Sequence, residues 1–169
     1  EALLVIEVGS DVNALEFFTD PATGAPRLAC GSDNRKVRVF DPVAGGKALV
    51  LIKVGSEVYA LASFTDPATG APRLACGTGD YLEEEHRSIG DVRIFDPIAG
   101  GEALVVLEGH TSWVTALTVF TDPATGALRL ASGSRDDSVR VWDLAAGGAA
   151  LFVLKGHAGT VFALTAFAD

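Results

Sequence analysis

Short runs of alternating apolar and polar residues recur along the chain. Val37-Arg38-Val39-Phe40, Val92-Arg93-Ile94-Phe95 and Val139-Arg140-Val141-Trp142 each set an arginine between branched apolar residues. A period of two predicts strands with one buried face. Residues 102–148 show the full cycle. Strands are expected over Ala103–Leu107, Val114–Phe120, Leu128–Ser132 and Ser138–Trp142. Turn signals separate them: Gly109-His110-Thr111-Ser112, Thr121–Gly126, Gly133–Asp137 and Ala146-Gly147-Gly148. No segment carries a convincing helical period, so the expected class is all-β and antiparallel.

The cycle is repeated. FTDPATGAPRLACG stands at Phe18–Gly31 and again at Phe64–Gly77, and FTDPATGALRLASG runs from Phe120 to Gly133. Each copy leads to an aromatic–Asp pair and then a double glycine. The chain divides into units 1–46, 47–101 and 102–148 and a partial unit 149–169, read together as one array. Unit two carries nine extra residues, and unit three carries one, near Ser112-Trp113.

Gly109-His110, Val114…Leu117…Phe120, Leu130-Ala131-Ser132-Gly133-Ser134 and Val139-Arg140-Val141-Trp142-Asp143 together resemble a WD40 repeat. Gly156-His157 opens a further copy. The resemblance implies a β-propeller of antiparallel four-stranded blades. It places complete blades at 9–54, 55–108 and 109–155. Glu1–Val8 would then be a lone outer strand and Val161–Phe167 a lone inner one. Three blades do not close a ring, so an incomplete ring or a fragment is expected. The chain starts at Glu1 and holds no methionine, which fits a piece of a longer array. Further blades would come from flanking sequence or another chain.

Composition narrows the function. Net charge is −9, which argues against nucleic-acid binding, reads first as an acidic solvated surface and is compatible with a partner carrying basic residues. No apolar run is long enough to predict a membrane helix. Cys30 and Cys76 hold equivalent places a full unit apart, so free buried thiols are expected rather than a disulfide. That leans toward a reducing, cytoplasmic setting.

His110, Ser132 and Asp136 have the residue types of a catalytic triad. The resemblance assigns them, with Trp142, to a buried structural network instead. Unit one has Ser10, Cys30, Asn34 and Phe40 in these places, and unit two has Ser56, Cys76 and Phe95. Loss of the whole set is consistent with an apolar replacement. The extra segment Asp80–Asp91 could hold a metal only if its contiguous Glu83, Glu84, Glu85 and His86 converged, so no metal is expected and the segment reads as a solvated acidic loop. No cofactor motif and no catalytic set stands out.

Two sets of turns are nearly invariant, and two vary. In a propeller the variable sets share one face, and WD40 propellers commonly bind partners there. The candidate contacts are Asn13, Tyr59, Thr115 and Phe162 after the first valine of each inner strand. Asp33, Tyr81, Glu84, Trp113 and Arg135 in the variable turns complete the set. The expected function is a non-catalytic scaffold binding a protein or peptide. The alternative is a structural array serving as a rigid spacer.

Overall fold

The computed structural model describes residues 4–166. The described residues form strands and no helix. The first blade is β1 (Val12–Thr19), β2 (Pro26–Ser32), β3 (Lys36–Phe40) and β4 (Val50–Lys53). The second runs β5 (Glu57–Thr65), β6 (Pro72–Leu82), β7 (Arg87–Ile89), β8 (Val92–Phe95) and β9 (Val105–Leu107). The third is β10 (Val114–Thr121), β11 (Leu128–Ser134), β12 (Ser138–Asp143) and β13 (Phe152–Lys155). Each blade is an antiparallel sheet in chain order, with β7 paired to β6 outside the main path of blade two.

The alternating runs become strands for the expected reason. In β3 Val37 and Val39 are buried, whereas Arg38 between them is only partly covered. The identical turn is fixed by its own side chains. Asp66 accepts the Ala68 N–H at 2.9 Å and the Thr69 hydroxyl at 2.8 Å. Gly70 closes the turn at φ 70°, a conformation that favours glycine. Asp20 and Asp122 cap their turns likewise, each accepting a backbone N–H two residues on. The arginine of the following strand then reaches back, Arg27 to Asp20 at 3.1 Å and Arg73 to Asp66 at 3.2 Å.

Blades stack by a repeated knob and hole. A Cβ on Gly31 would meet Val58 at 2.5 Å, one on Gly77 would meet Val114 at 2.9 Å, and one on Gly133 would meet Val161 at 2.6 Å. Glycine is required there because the next blade's first inner valine occupies the space. Apolar cores form on either side of blade two. One joins Ala29, Val37, Val39 and Ile52 to Val58, Leu61 and Leu74. The other joins Ala75, Val92, Ile94 and Leu107 to Val114, Leu130 and Trp142. The blades follow one another in an open arc, and the described residues form no closed ring.

Three expectations need correction. Neither residues 4–8 nor residues 161–166 form a strand, because a strand needs a hydrogen-bonded neighbour and no described strand pairs with them. Residues 1–3 and Phe167 of those two segments lie outside the described residues. Val161 nevertheless sits where Val58 and Val114 sit, and its N–H donates to the Ser134 carbonyl at 3.1 Å. Half of the inserted segment is no loop either. It lengthens β6 and returns as β7, pairing Asp80 with Ile89, Tyr81 with Ser88 and Leu82 with Arg87. The tip, residues 83–86, is a turn with His86 at φ 51°, and Gly90 and Asp91 link β7 to β8. We call this hairpin the ear.

Candidate functional site

The His110 set is assembled in blade three as one chain of hydrogen bonds. The Trp142 indole N–H donates to Ser132 Oγ at 2.8 Å. Ser132 Oγ stands 2.7 Å from His110 Nε2, and His110 Nδ1 stands 2.8 Å from Asp136. An indole can only donate, so the Ser132 proton goes to Nε2, and Nδ1–H goes to the carboxylate. Asp136 also accepts the Thr111 N–H at 3.0 Å and the Ser138 N–H at 3.0 Å. Burial pushes the imidazole below its usual pKa, against the pull of Asp136. Burial pushes the Asp136 carboxyl up, but hydrogen bonds from Ser138, Thr111 and His110 outweigh it and bring the pKa to about 2. The pair is therefore a neutral imidazole bonded to a carboxylate, not an ion pair, at neutral pH. The order of atoms matches a hydrolytic triad, but the chemistry does not follow. Ser132 is fully buried and its oxygen is capped by Trp142, so no substrate carbonyl can approach it.

The other blades solve the same place differently, which corrects the expectation of a purely apolar replacement. In blade two Arg93 grips Asp91 with two bonds of 2.9 Å and reaches the Val54 carbonyl at 2.6 Å. Thr78 donates to Asp91 at 2.6 Å. In blade one Ser32 donates to Asn34 at 2.9 Å, and Arg38 approaches Asn34 at 3.4 Å. A Cβ on the turn glycine Gly55 would meet the Arg93 guanidinium at 3.2 Å, one on Gly109 of blade three would meet Arg140 at 2.8 Å although the imidazole is kept there, and one on Gly9 would meet nothing within 4 Å. The signal was present in the sequence as the arginine repeated at 38, 93 and 140.

On the variable face the structure gathers most of the candidate residues. β1, β5 and β10 each bulge after their first valine, at Asn13, Tyr59 and Thr115. A bulge breaks the in–out alternation and re-aims a side chain. Asn13 thus reaches the Val58 carbonyl of the next blade at 3.2 Å and Asp33 at 2.5 Å. Thr115 reaches the Val161 carbonyl at 2.7 Å. Tyr59 instead stacks on Trp113, with centroids 4.8 Å apart and planes 14° apart. Its hydroxyl donates to Glu57. The Arg135 guanidinium lies over the same indole at 4.2 Å. Between these groups lies a hollow of 410 Å³, lined also by Val12 and Phe162.

The two irregularities of the repeat meet here. Trp113, at the site of unit three's one-residue insertion, donates its indole N–H to the Asp80 carbonyl in the ear of unit two, at 3.1 Å. A Cβ on Gly79 would stand 2.5 Å from Trp113, and one on Gly90 would stand 2.5 Å from the Ser112 carbonyl. Both glycines flank the ear, and their lack of a side chain lets the Trp113 turn lie against it. Arg35 of blade one adds an ion pair to Asp80 at 3.0 Å. Gly79, Gly90 and Arg35 were not among the sequence candidates. The glycines bracketing the insert were the available signal. Tyr81 and Glu84 stand apart, exposed on the ear and outside the hollow. Among the described residues no three His, Cys, Asp or Glu side chains group as a metal site. Cys30 and Cys76 are free and buried, and burial pushes both thiols up in pKa.

A family model described as WD domain, G-beta repeat matches residues 101–143. The match spans the unit that holds the full His110 network, and units one and two lack its histidine and tryptophan. Residues 101–143 are thus similar to a WD40 repeat, and the antiparallel four-stranded sheets are consistent with WD40 propeller blades. WD40 repeats serve in general as protein-interaction scaffolds and are in general non-catalytic. No curated protein matches the chain.

Proposed function

We propose that this WD40-type array is a non-catalytic scaffold that binds a protein or peptide through its variable face. The observation carrying this reading is the hollow around Tyr59 and Trp113, built where the repeats differ. Aromatic rings held in place by their neighbours lose little freedom on contact with a partner, which is how interface hot spots arise. Tyr59 is fixed by Glu57 and by the stack, and Trp113 by Asp80. Net charge and the exposed glutamates of the ear favour basic residues elsewhere in the partner. Buried free thiols suit a reducing, cytoplasmic setting.

A second reading has an observation of its own. Asn13, Thr115 and Trp113 spend their polar groups tying one blade to the next, as a rigid spacer would require. Selecting peptides from a random library on the full chain separates the two. Binding that falls with Tyr59→Ala, with the melting curve intact, supports the scaffold. A selection that yields no Tyr59-dependent peptide favours the spacer.

A further inference from the structure

The hollow has one charged wall, and it is positive. Arg135 is the sole charged residue among those lining it. Its backbone N–H is anchored to the Trp113 carbonyl at 2.9 Å, and its guanidinium rests on the indole. Yet among the described residues that guanidinium enters no ion pair and no side-chain hydrogen bond. Arg35, Arg87 and Arg93 are paired with Asp80, Glu85 and Asp91, and Arg27, Arg73 and Arg129 with the turn aspartates. Arg38 and Arg140 also enter no ion pair, but both are partly covered within strands; among the described residues Arg135 is the exposed guanidinium without a carboxylate, in a chain of net charge −9.

The nearby carboxylates are already engaged. Asp33 accepts from Asn13, Glu57 accepts from Tyr59, and Asp136 holds the His110 network. The polar donors of the wall are spent too, since Asn13 gives to Asp33 and Val58 and Thr115 gives to Val161. What remains for an incoming group is a flat guanidinium fork, the Tyr59 and Trp113 rings, and two apolar side chains. Val12 is 42% and Phe162 73% exposed. A guanidinium fork matches a carboxylate through two parallel N–H···O bonds, whereas an ammonium or guanidinium ligand would face like charge.

We infer that the hollow takes an Asp or Glu side chain of a bound peptide, its carboxylate on Arg135 and an adjacent apolar side chain against Val12 and Phe162. This rests on the variable-face reading, and it is opposite in sign to what the net charge favours. The same peptide can carry basic residues toward the ear.

The test is a random heptapeptide selection on the full chain, followed by titrations read by tryptophan fluorescence. Trp142 is fully buried, so a ligand-induced change reports on Trp113. Selected peptides are expected to carry Asp or Glu beside a large apolar residue. Changing that acid to its amide should weaken binding by about tenfold, the scale of a hydrogen bond to a charged group. Arg135→Gln should abolish the acid-over-amide difference, and Arg135→Lys should keep part of it. Arg135 is exposed, so both variants should melt like the parent. Enrichment of Lys or Arg at the Tyr59-dependent position would overturn the inference, as would an acid preference that survives Arg135→Gln. If peptides bind through Tyr59 without acid preference, the scaffold reading stands and this inference alone falls. If no selected peptide depends on Tyr59, both fall.

Discussion

His110→Ala removes one imidazole and breaks a chain in which Trp142, Ser132 and His110 are buried and Asp136 is partly buried. The Ser132 hydroxyl, at 0% exposure, loses its acceptor at 2.7 Å. An unsatisfied buried donor costs about 1–3 kcal/mol. Asp136 loses the Nδ1–H donor but keeps the N–H groups of Thr111 and Ser138 and the Ser138 hydroxyl. That charge-assisted bond is worth about 1.5 kcal/mol or more. The expected loss is about 3 kcal/mol, in the upper range for single substitutions. Ser10 occupies the equivalent place in blade one and makes no side-chain hydrogen bond among the described residues, so Ser10→Ala should change stability by about 0.5 kcal/mol or less. The assay is urea unfolding of the full chain, followed by circular dichroism and by tryptophan fluorescence. Repeat arrays can unravel from one end, so fluorescence from Trp142 is the local report on blade three. Equal midpoint shifts for the two variants would refute the reasoning. So would an unchanged fluorescence midpoint in His110→Ala.

The same network sets an acid limit. Both His110 and Asp136 have folded-state pKa values below their unfolded ones, so the unfolded chain binds more protons and acid destabilises the fold. The histidine contribution is whole above its unfolded pKa of about 6.5 and declines below it. The aspartate contribution declines from about 3.9 toward its folded value of about 2. Urea midpoints should therefore fall between pH 7.5 and 5.5, and a His110→Gln variant should lose that slope; a slope unchanged by the substitution would assign it elsewhere. Gly79→Ala places a Cβ 2.5 Å from the Trp113 ring base, and overpacking of this kind costs about 1–3 kcal/mol. It should shift the tryptophan emission and speed amide exchange in the ear. A spectrum identical to the parent's would mean Trp113 does not rest against the ear.

Much of the fold was legible because it is local. Strand alternation, the Asp-capped turn and its left-handed glycine depend on neighbours within a few residues, so Asp66, Thr69 and Gly70 announce the turn by themselves. The His110 network spans 26 residues from His110 to Asp136, yet it too was readable, through resemblance to a repeated pattern. Unit three was the one that matched a family model, because it alone keeps the histidine and the tryptophan. The ear was misjudged as a loop because its backbone pairing is set by the strand it extends, which composition does not reveal.

The amino-acid order alone determined that the chain is a tandem all-β array, where its turns fall and which unit holds the polar network. Those properties repeat, and repetition makes a short-range signal loud. Only the tertiary structure decided how the exceptions combine. Trp113 and Asp80 are 33 residues apart in different units, and each looked like an isolated irregularity. Stacking blade three on blade two brings them together and leaves Arg135 on the indole with no carboxylate of its own among the described residues. The contact depends on the turn before β10 lying against Gly79 and Gly90 of the neighbouring blade, and the bulge at Tyr59 re-aims its ring onto the same indole. A period of two along one strand carries no information about either.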